Sequence, residues 1–538
     1  MTHTQDDVDV FVVPASYAQE RVWFASQLAQ DVPLYHVTGE FRLPYALSFE
    51  QVRAAFATVC ERHETMRTSF RVEDGTLMQV VHPDPELPIA ELDLTGHPDP
   101  AGRVAELYAA LNDTELSLVD PPLWRATFAR CAADEWVLLF VAHHTLVDLG
   151  AAVNLNAELV ELCAAAAEGR PAVLPELPIQ YADHAVWQRD RMEGGRLAEL
   201  EAFWGAELAD LPVVHGLPAS RVRPADRTFA GGDIEFALTD DIVAGVPRLA
   251  RTAGATPFMV LLAGYAALIH QLSGATDVVV GVPVAGRDAP EVQPLIGMFV
   301  NMVVSRVDVS GDPTFAELLD RVRDRLLTAW DYQDMPFQKL VELVAGRRAP
   351  GVPPVYQLGF NYLDLGFSGR AAAAEDDLLL EISRSMGRLE YSTDVFTEGD
   401  ARAMVDGYLR LLSAVLADPA ARLSTVAAAP PAAAPAADPA PAAPAVEFVA
   451  PRTAAEELVA EVWAEVLGVP RIGALDNFFD LGGHSLLALR VIARISAAIE
   501  IDLPIQAFFV DTTVAGVAAQ VERILLQDMD DNDVEGTP

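Results

Sequence analysis

WVLLFVAHHTLVDLG, Trp136 to Gly150, is the stretch from which the rest of the chain is best read. The unbroken apolar run Trp136 to Ala142 predicts a buried strand, at whose end His143 and His144 emerge side by side. Imidazole changes charge nearest to neutral pH, so a pair in this place is suited to handling protons. Asp148, four residues after His144, would structure the turn or pair with a cation. These residues alone leave two readings open: a proton-handling pair, or histidines that satisfy hydrogen bonds at a strand end.

Composition narrows the function classes. A chain of 538 residues, 51% of them hydrophobic, can bury more than one core and is expected to hold two to four folding units. With 37 basic and 78 acidic residues the net charge is -41, which disfavours nucleic acid and anionic membrane as partners. Cys60, Cys131 and Cys163 are scattered without metal-ligand spacing, so reduced thiols in a cytoplasmic protein are expected, and no metal site. The N-terminus MTHTQDDVDV has no basic region followed by an apolar core. The longest apolar run, Phe258 to Ile269, is too short for a bilayer and reads as a buried helix.

The clearest boundary is AAPPAAAPAADPAPAAPA at 428–445, whose prolines exclude regular helix and favour an extended tether; the linker is placed at 426–450. Before it, apolar runs at 278–284 and 300–307 alternate with amphipathic stretches such as 400–416, which predicts an α/β unit. After it, Thr453 and Glu456 stand at capping-box spacing ahead of a helical stripe closed by Gly468. Two more apolar-faced helices, 486–495 and 514–525, make residues 451–526 a small helical bundle, and 527–538 an acidic tail expected to be solvated.

Within that bundle, DLGGHSLLALR places Ser485 just after Gly482 and Gly483, where a helix's first amides face outward and favour a phosphate. A simple N-cap is the competing role. The nucleophile-elbow pattern G-x-S-x-G fails here, because Leu487 stands where its second glycine belongs. The whole string FFDLGGHSLLALR resembles the signature of carrier proteins, which implies 4'-phosphopantetheine on Ser485, attached by a separate phosphopantetheinyl transferase.

The larger unit then falls into place. SYAQERVWF (16–24), RHETMRTSF (62–70), HHTLVDLG (143–150), YADHAVW (181–187), IGMFVNM (296–302) and QDMPFQKLVE (333–342) resemble, in that order, the motifs of nonribosomal peptide synthetase condensation domains. That resemblance implies an α/β fold of two chloramphenicol-acetyltransferase-like lobes in a V, about 7–185 and 186–425, with a tunnel where two pantetheine arms meet. The C-terminal small four-helix-type carrier bundle follows. It also implies His144 as general base or orienting acceptor, His143 as a supporting residue, and Asp148 paired with Arg67. Trp23, Trp187, Phe299 and Phe337 are expected to be core aromatics.

Two departures stand out. Leu149 replaces the glycine of the family's HHxxxDG pattern, and Gly150 is not its equivalent, so the turn is expected to be reshaped. RRAPGVPPVYQLGFN (347–361) matches the last motif only loosely. The linker leaves no room for an adenylation domain, which implies an amino acid loaded in trans by a separate adenylating enzyme, or a building block that reaches the carrier in another way. An upstream donor carrier protein and a downstream synthetase or release enzyme are the other partners implied. The leading expectation is amide formation between the donor's acyl thioester and an amine held on Ser485. Ester formation, a soluble amine acceptor, or an inactive recruitment platform are the alternatives.

Overall fold

A computed structural model describes residues 10–535, apart from 29–33, 84–86, 115, 225–226, 345–348, 350, 364–372, 427–447, 479–480, 482, 484, 500, 502, 505–506 and 509–510. Most of the Ala/Pro linker thus lies outside the described residues, as do the side chains of Ser485 and of the acidic tail.

The first lobe holds two sheets. Strands β1 (Phe11–Pro14), β3 (Thr68–Glu73) and β4 (Thr76–Val81) form one, in the order β1-β4-β3. The other is β2 (His36–Leu43), β5 (Ile89–Asp93), β6 (Trp124–Ala132) and β7 (Glu135–His143), in the order β2-β7-β6-β5. The predicted apolar strand is β7, and it is central. Leu138, Phe140 and Ala142 enter the main core with Phe56 and Trp124, while Val137 and Leu139 pack on the opposite face with Val104. Burial on both faces explains why the run is continuous rather than alternating. Helices α1 (Tyr17–Leu28), α2 (Phe49–Arg62), α3 (Pro100–Ala109) and α4 (Leu149–Glu168) complete the lobe, followed by α5 (Tyr181–Arg191) and α6 (Leu197–Glu207).

The second lobe is built on a six-stranded sheet of β8 (Gly231–Ala237), β9 (Asp277–Val284), β10 (Asn301–Asp308), β11 (Leu358–Tyr362), β12 (Leu378–Ile382) and β13 (Met386–Ser392). The order is β10-β9-β11-β12-β13-β8, with β11 parallel to both neighbours. Helices α7 (Asp240–Thr252), α8 (Pro257–Ser273), α9 (Phe315–Trp330) and α11 (Glu398–Ala417) pack in its core; α10 (Phe337–Leu343) lies against α1 of the first lobe. Helix α8 contains the predicted run 258–269 and is buried on nearly every side. Thr256 caps its first turn, and Gly274, at φ +74°, closes it.

Helices α12 (Ala454–Leu467), α13 (Ser485–Ile499) and α14 (Val514–Glu535) form the C-terminal bundle around Trp463, Phe478 and Phe508. Helix α14 runs past Leu525 to Glu535, so the tail expected to be solvated coil is helical for most of its length; no proline or glycine interrupts it before Gly536.

Cys60 and Cys163 are buried free thiols that burial pushes up to about 12, as expected of inert core cysteines. One helix among the described residues, α4, is long and apolar enough to cross a membrane, but it packs against α2 and β2. Trp23 and Phe299 are core aromatics as expected, and Phe337 is partly buried. Trp187 is not: it is 53% exposed on α5, beside His184 and Arg191. An aromatic on the outer face of an amphipathic helix is not distinguishable from a core one by residue type.

Candidate active site

Strand β7 delivers the two histidines to different fates. His143, its last residue, is buried with both ring nitrogens engaged: Nδ1 lies 3.3 Å from the Thr145 N–H and 2.9 Å from its hydroxyl, and Nε2 lies 2.9 Å from Ser26 Oγ. Ser26 donates its own proton to the Val22 carbonyl at 2.7 Å, so Nε2–H of His143 is the donor in that contact and the ring is neutral. Burial holds its pKa well below the ordinary histidine range. This is a structural histidine that shapes the turn.

His144 comes next and is anchored through its backbone, whose N–H donates to the Tyr35 carbonyl at 2.8 Å. Its ring stands edge-on to Tyr35 at 6.5 Å, and its buried Nδ1 has no hydrogen-bond partner among the described residues. Burial lowers its pKa, with the Asp148 carboxylate pulling the other way. The result is a neutral imidazole with hydrogen-bonding capacity to spare, which is what a proton acceptor needs.

Asp148 locks the turn. Its Oδ1 accepts from the Ala151 N–H at 2.7 Å, capping α4, and from Arg287 Nη2 at 2.9 Å; its Oδ2 accepts from the Phe299 N–H at 2.9 Å. Arg287 belongs to the second lobe. It also donates to the carbonyls of Val292 (3.0 Å) and Leu295 (2.8 Å) and lies 4.2 Å over the Phe299 ring. The expected partner, Arg67, is not there. It ends the short turn Glu64–Arg67, turns toward the end of β4, donates to the His82 carbonyl at 2.9 Å and approaches Glu64 at 4.0 Å. What aims the true partner is the turn before it: in GVPVAGR, Gly286 stands at φ +63°, and a Cβ there would lie 2.2 Å from the Phe299 carbonyl oxygen.

Leu149 causes no strain. As the first residue of α4 it needs no positive φ, and its side chain is 43% exposed. The tight position is Gly150: a Cβ there would lie 2.8 Å from Arg287 Nε. The close approach expected of a motif glycine is therefore found one residue later.

Residues of the 62–70 and 181–187 motifs converge on the segment 296–298. Thr65 Oγ1 donates to the Ile296 carbonyl at 3.0 Å, the Ile296 N–H to His63 Nδ1 at 3.3 Å, and Tyr181 Oη to the Met298 carbonyl. Ser16 Oγ meets Tyr181 Oη at 2.7 Å, and Gln19 Nε2 donates to the Thr145 carbonyl at 3.3 Å. They are braces for the histidine turn. No group of metal-ligating side chains occurs among the described residues.

A family model for the Condensation domain matches residues 11–435, and one for a Phosphopantetheine attachment site matches 457–521. The chain belongs to the condensation-domain family. A linear gramicidin synthase of Brevibacillus parabrevis is 34% identical to this condensation–carrier chain over 429 residues, 76% of the chain and 6% of that protein. Phosphinothricin tripeptide synthetase PhsC of Streptomyces viridochromogenes is 38% identical over 374 residues, 69% of the chain and 34% of that protein. The chain thus spans only a small part of these synthetases. Among solved structures, the condensation lobes resemble the X-domain from teicoplanin biosynthesis (TM-score 0.68, 25% identity, 79% of this chain and 98% of that one). They also resemble SgcC5 from Streptomyces globisporus (TM-score 0.66, 27% identity, 76% and 100%). The two-lobed α/β fold with a carrier bundle is thereby established, as is a phosphopantetheine attachment site in the bundle.

The attachment segment fits that group. The Gly483 N–H donates to the Phe478 carbonyl at 2.9 Å, and a Cβ on Gly483 would lie 2.3 Å from the Phe478 ring. Only glycine admits so tight a turn, which delivers Ser485 as the first residue of α13, where unpaired helix amides favour a phosphate.

Proposed function

We propose that this chain forms an amide bond between an acyl or peptidyl thioester brought by an upstream carrier protein and an amine tethered through phosphopantetheine to Ser485. The division of labour between the histidines carries the reading: His143 has both nitrogens committed, whereas His144 is neutral, positioned by its backbone, and has ring capacity unspent.

The phosphopantetheine arm supplies the thioester handle. His144 orients the amine by accepting its N–H hydrogen bond and takes its proton as the C–N bond forms and the C–S bond breaks; the proton then returns to the departing sulfur. The thioester is already activated, so holding the reactants together supplies much of the rate. Asp148 and Arg287 act through the turn, keeping His144 in place. Because the linker joins the two units without an adenylation domain, the acceptor is loaded by a separate enzyme, a phosphopantetheinyl transferase modifies Ser485, and a downstream synthetase or release enzyme takes the product. A cytoplasmic location accords with this set of partners.

Incubation of the phosphopantetheinylated chain with a loaded donor carrier, followed by intact mass of the carrier domain, tests the proposal. His144→Ala should abolish mass gain from the donor, and Ser485→Ala should prevent gain of the pantetheine arm. Turnover unchanged in His144→Ala would refute the catalytic assignment. Two relatives favour second readings. SgcC5 was crystallised with a naphthyl ethanediol, which favours a hydroxyl acceptor, and the teicoplanin X-domain forms a complex with OxyB, which favours a recruitment platform. Supplying matched amine and hydroxyl acceptors in the same assay separates the first of these; retained carrier loading without any product supports the second.

A further inference from the structure

The six-stranded sheet turns one face to its own core and the other away from it. Leu378, Leu380, Leu389 and Ile234 enter the core, so by the two-residue period of strands Glu381, Glu390 and Asp233 lie on the other face. They are cross-strand neighbours: β13 pairs Glu390 with Asp233 on one side and Leu379 on the other, and Arg388 with Glu381. At the head of β12, Asp376 lies over Gly359 on this face, its Oδ2 2.7 Å from where a Cβ would stand. Next to it Glu375 reaches the first lobe, where Arg21 Nη1 holds its Oε1 at 3.2 Å.

Among the described residues, cations on this face are fewer than carboxylates. Arg388 is committed to Glu381, with Nε at 2.9 Å. Arg227 donates to backbone carbonyls, those of Ala374 at 3.3 Å and Glu375 at 2.6 Å. Glu375 remains 42% exposed despite Arg21, and Glu390 is half-buried. Burial and the neighbouring carboxylates push Asp376 well above the usual carboxylate range and Glu390 up to about 8. Carboxyls held up in this way regain their charge when a cation arrives.

A second observation points to a ligand here. Tyr35, 6% exposed, has a hydroxyl that meets no partner at full hydrogen-bond geometry among the described residues, and it faces the Glu375 carboxylate, with Asp376 within electrostatic reach. The same residue's ring flanks His144 at 6.5 Å, and its carbonyl anchors the His144 backbone. A buried hydroxyl beside carboxylates, on the residue whose ring flanks the histidine, makes a polar wall suited to a donor.

We propose that this wall, with Glu375 and Glu390 as partners and the Tyr35 hydroxyl beside them, selects a building block with a cationic side chain, an ammonium or guanidinium. The inference rests on the condensation reading above and names the substrate class of that site. A hydrophobic isostere is disfavoured there because it brings neither a counter-charge nor a hydrogen-bond donor to these carboxyls.

The full-length phosphopantetheinylated chain is the material for the test. Lysyl and norleucyl groups, nearly equal in length, are placed chemically on Ser485 in one arm and on a donor carrier in the other, and single-turnover rates are read by intact mass. The lysyl probe should win by about tenfold in one arm, the low end for a hydrogen bond to a charged group. That arm identifies which building block carries the charge. Glu375→Gln and, independently, Glu390→Gln should each bring the ratio toward one; the second leaves the Arg21 pair intact and guards against misfolding. Equal rates in both arms, or a lysyl preference untouched by both substitutions, would overturn the inference. If neither probe reacts in either arm, the condensation reading fails. Calorimetric binding of lysyl- against norleucyl-pantetheine amide to the same chain then decides the cation site alone: tighter lysyl binding supports it and equal binding refutes it.

Discussion

Replacing Arg287 by alanine isolates what joins the catalytic turn to the second lobe. Asp148 is 1% exposed at its side chain and Arg287 12%, so the substitution leaves a buried carboxylate without its cation. Breaking such a pair costs about 3–5 kcal/mol, and the lower end applies because Asp148 keeps the Ala151 and Phe299 N–H donors. At about 2.1 cal/mol/K of unfolding entropy per residue, a loss of about 3 kcal/mol lowers Tm by roughly 4 °C if about 400 residues unfold together, or roughly 8 °C if the first lobe unfolds alone. Thermal unfolding of Arg287→Ala, Asp148→Asn and the double variant gives the coupling energy, expected at about 2 kcal/mol. Arg67→Ala combined with Asp148→Asn should be additive to within about 0.5 kcal/mol. Additivity in the first cycle with coupling in the second would refute the pairing described above.

Other outcomes follow from the same geometry. Gly150→Ala puts a methyl against an arginine fixed by several carbonyls; it should destabilise by about 1–2 kcal/mol despite alanine's better helix propensity, whereas Leu149→Ala on the exposed side should change stability by less than about 0.5 kcal/mol in the same melts. Gly483→Ala drives a Cβ into Phe478 and should block uptake of the pantetheine arm, read as no mass gain with a transferase. His184 is nearly buried and neutral, its pKa lowered by burial to about 4, so the unfolded chain binds its proton first as pH falls from about 6.5. Stability should drop by about 1.4 kcal/mol per pH unit between those values on its account, and His184→Gln should flatten that slope in denaturant titrations. If His144 takes the proton as proposed, its neutral form is the one needed, and since burial lowers its pKa, turnover should stay level above neutral pH and fail only on an acid limb with a midpoint below about 6.5.

The residues that spoke in sequence were those whose periodicity or local chemistry is self-contained. The run 136–142 reads as a buried strand and 258–269 as a buried helix, and the structure has both. Ser485 and the histidine turn were legible because each is a contiguous string. The Asp148 partner was not: Arg287 lies 139 residues away, and its approach depends on the Gly286 turn and on Gly150 having no side chain, neither of which shows as a pattern. The acidic face escaped notice for a similar reason. Asp233, Asp376 and Glu390 belong to separate strands or their ends, and only pairing in the sheet sets them together. The exposed Trp187 shows the converse limit, a residue type that packs in most places and does not in this one.

The carboxylate of Asp148 receives a donor from each half of the molecule, Ala151 of the first lobe and Phe299 and Arg287 of the second. For enzyme engineering this makes the catalytic turn common property. A chimaera that exchanges one lobe between synthetases must bring a compatible 286–299 segment with it, or import that segment as a unit. A graft cut by chain position alone would fold two sound halves and leave the histidine turn with only its first-lobe anchors, among them the Tyr35 carbonyl and the Ala151 cap.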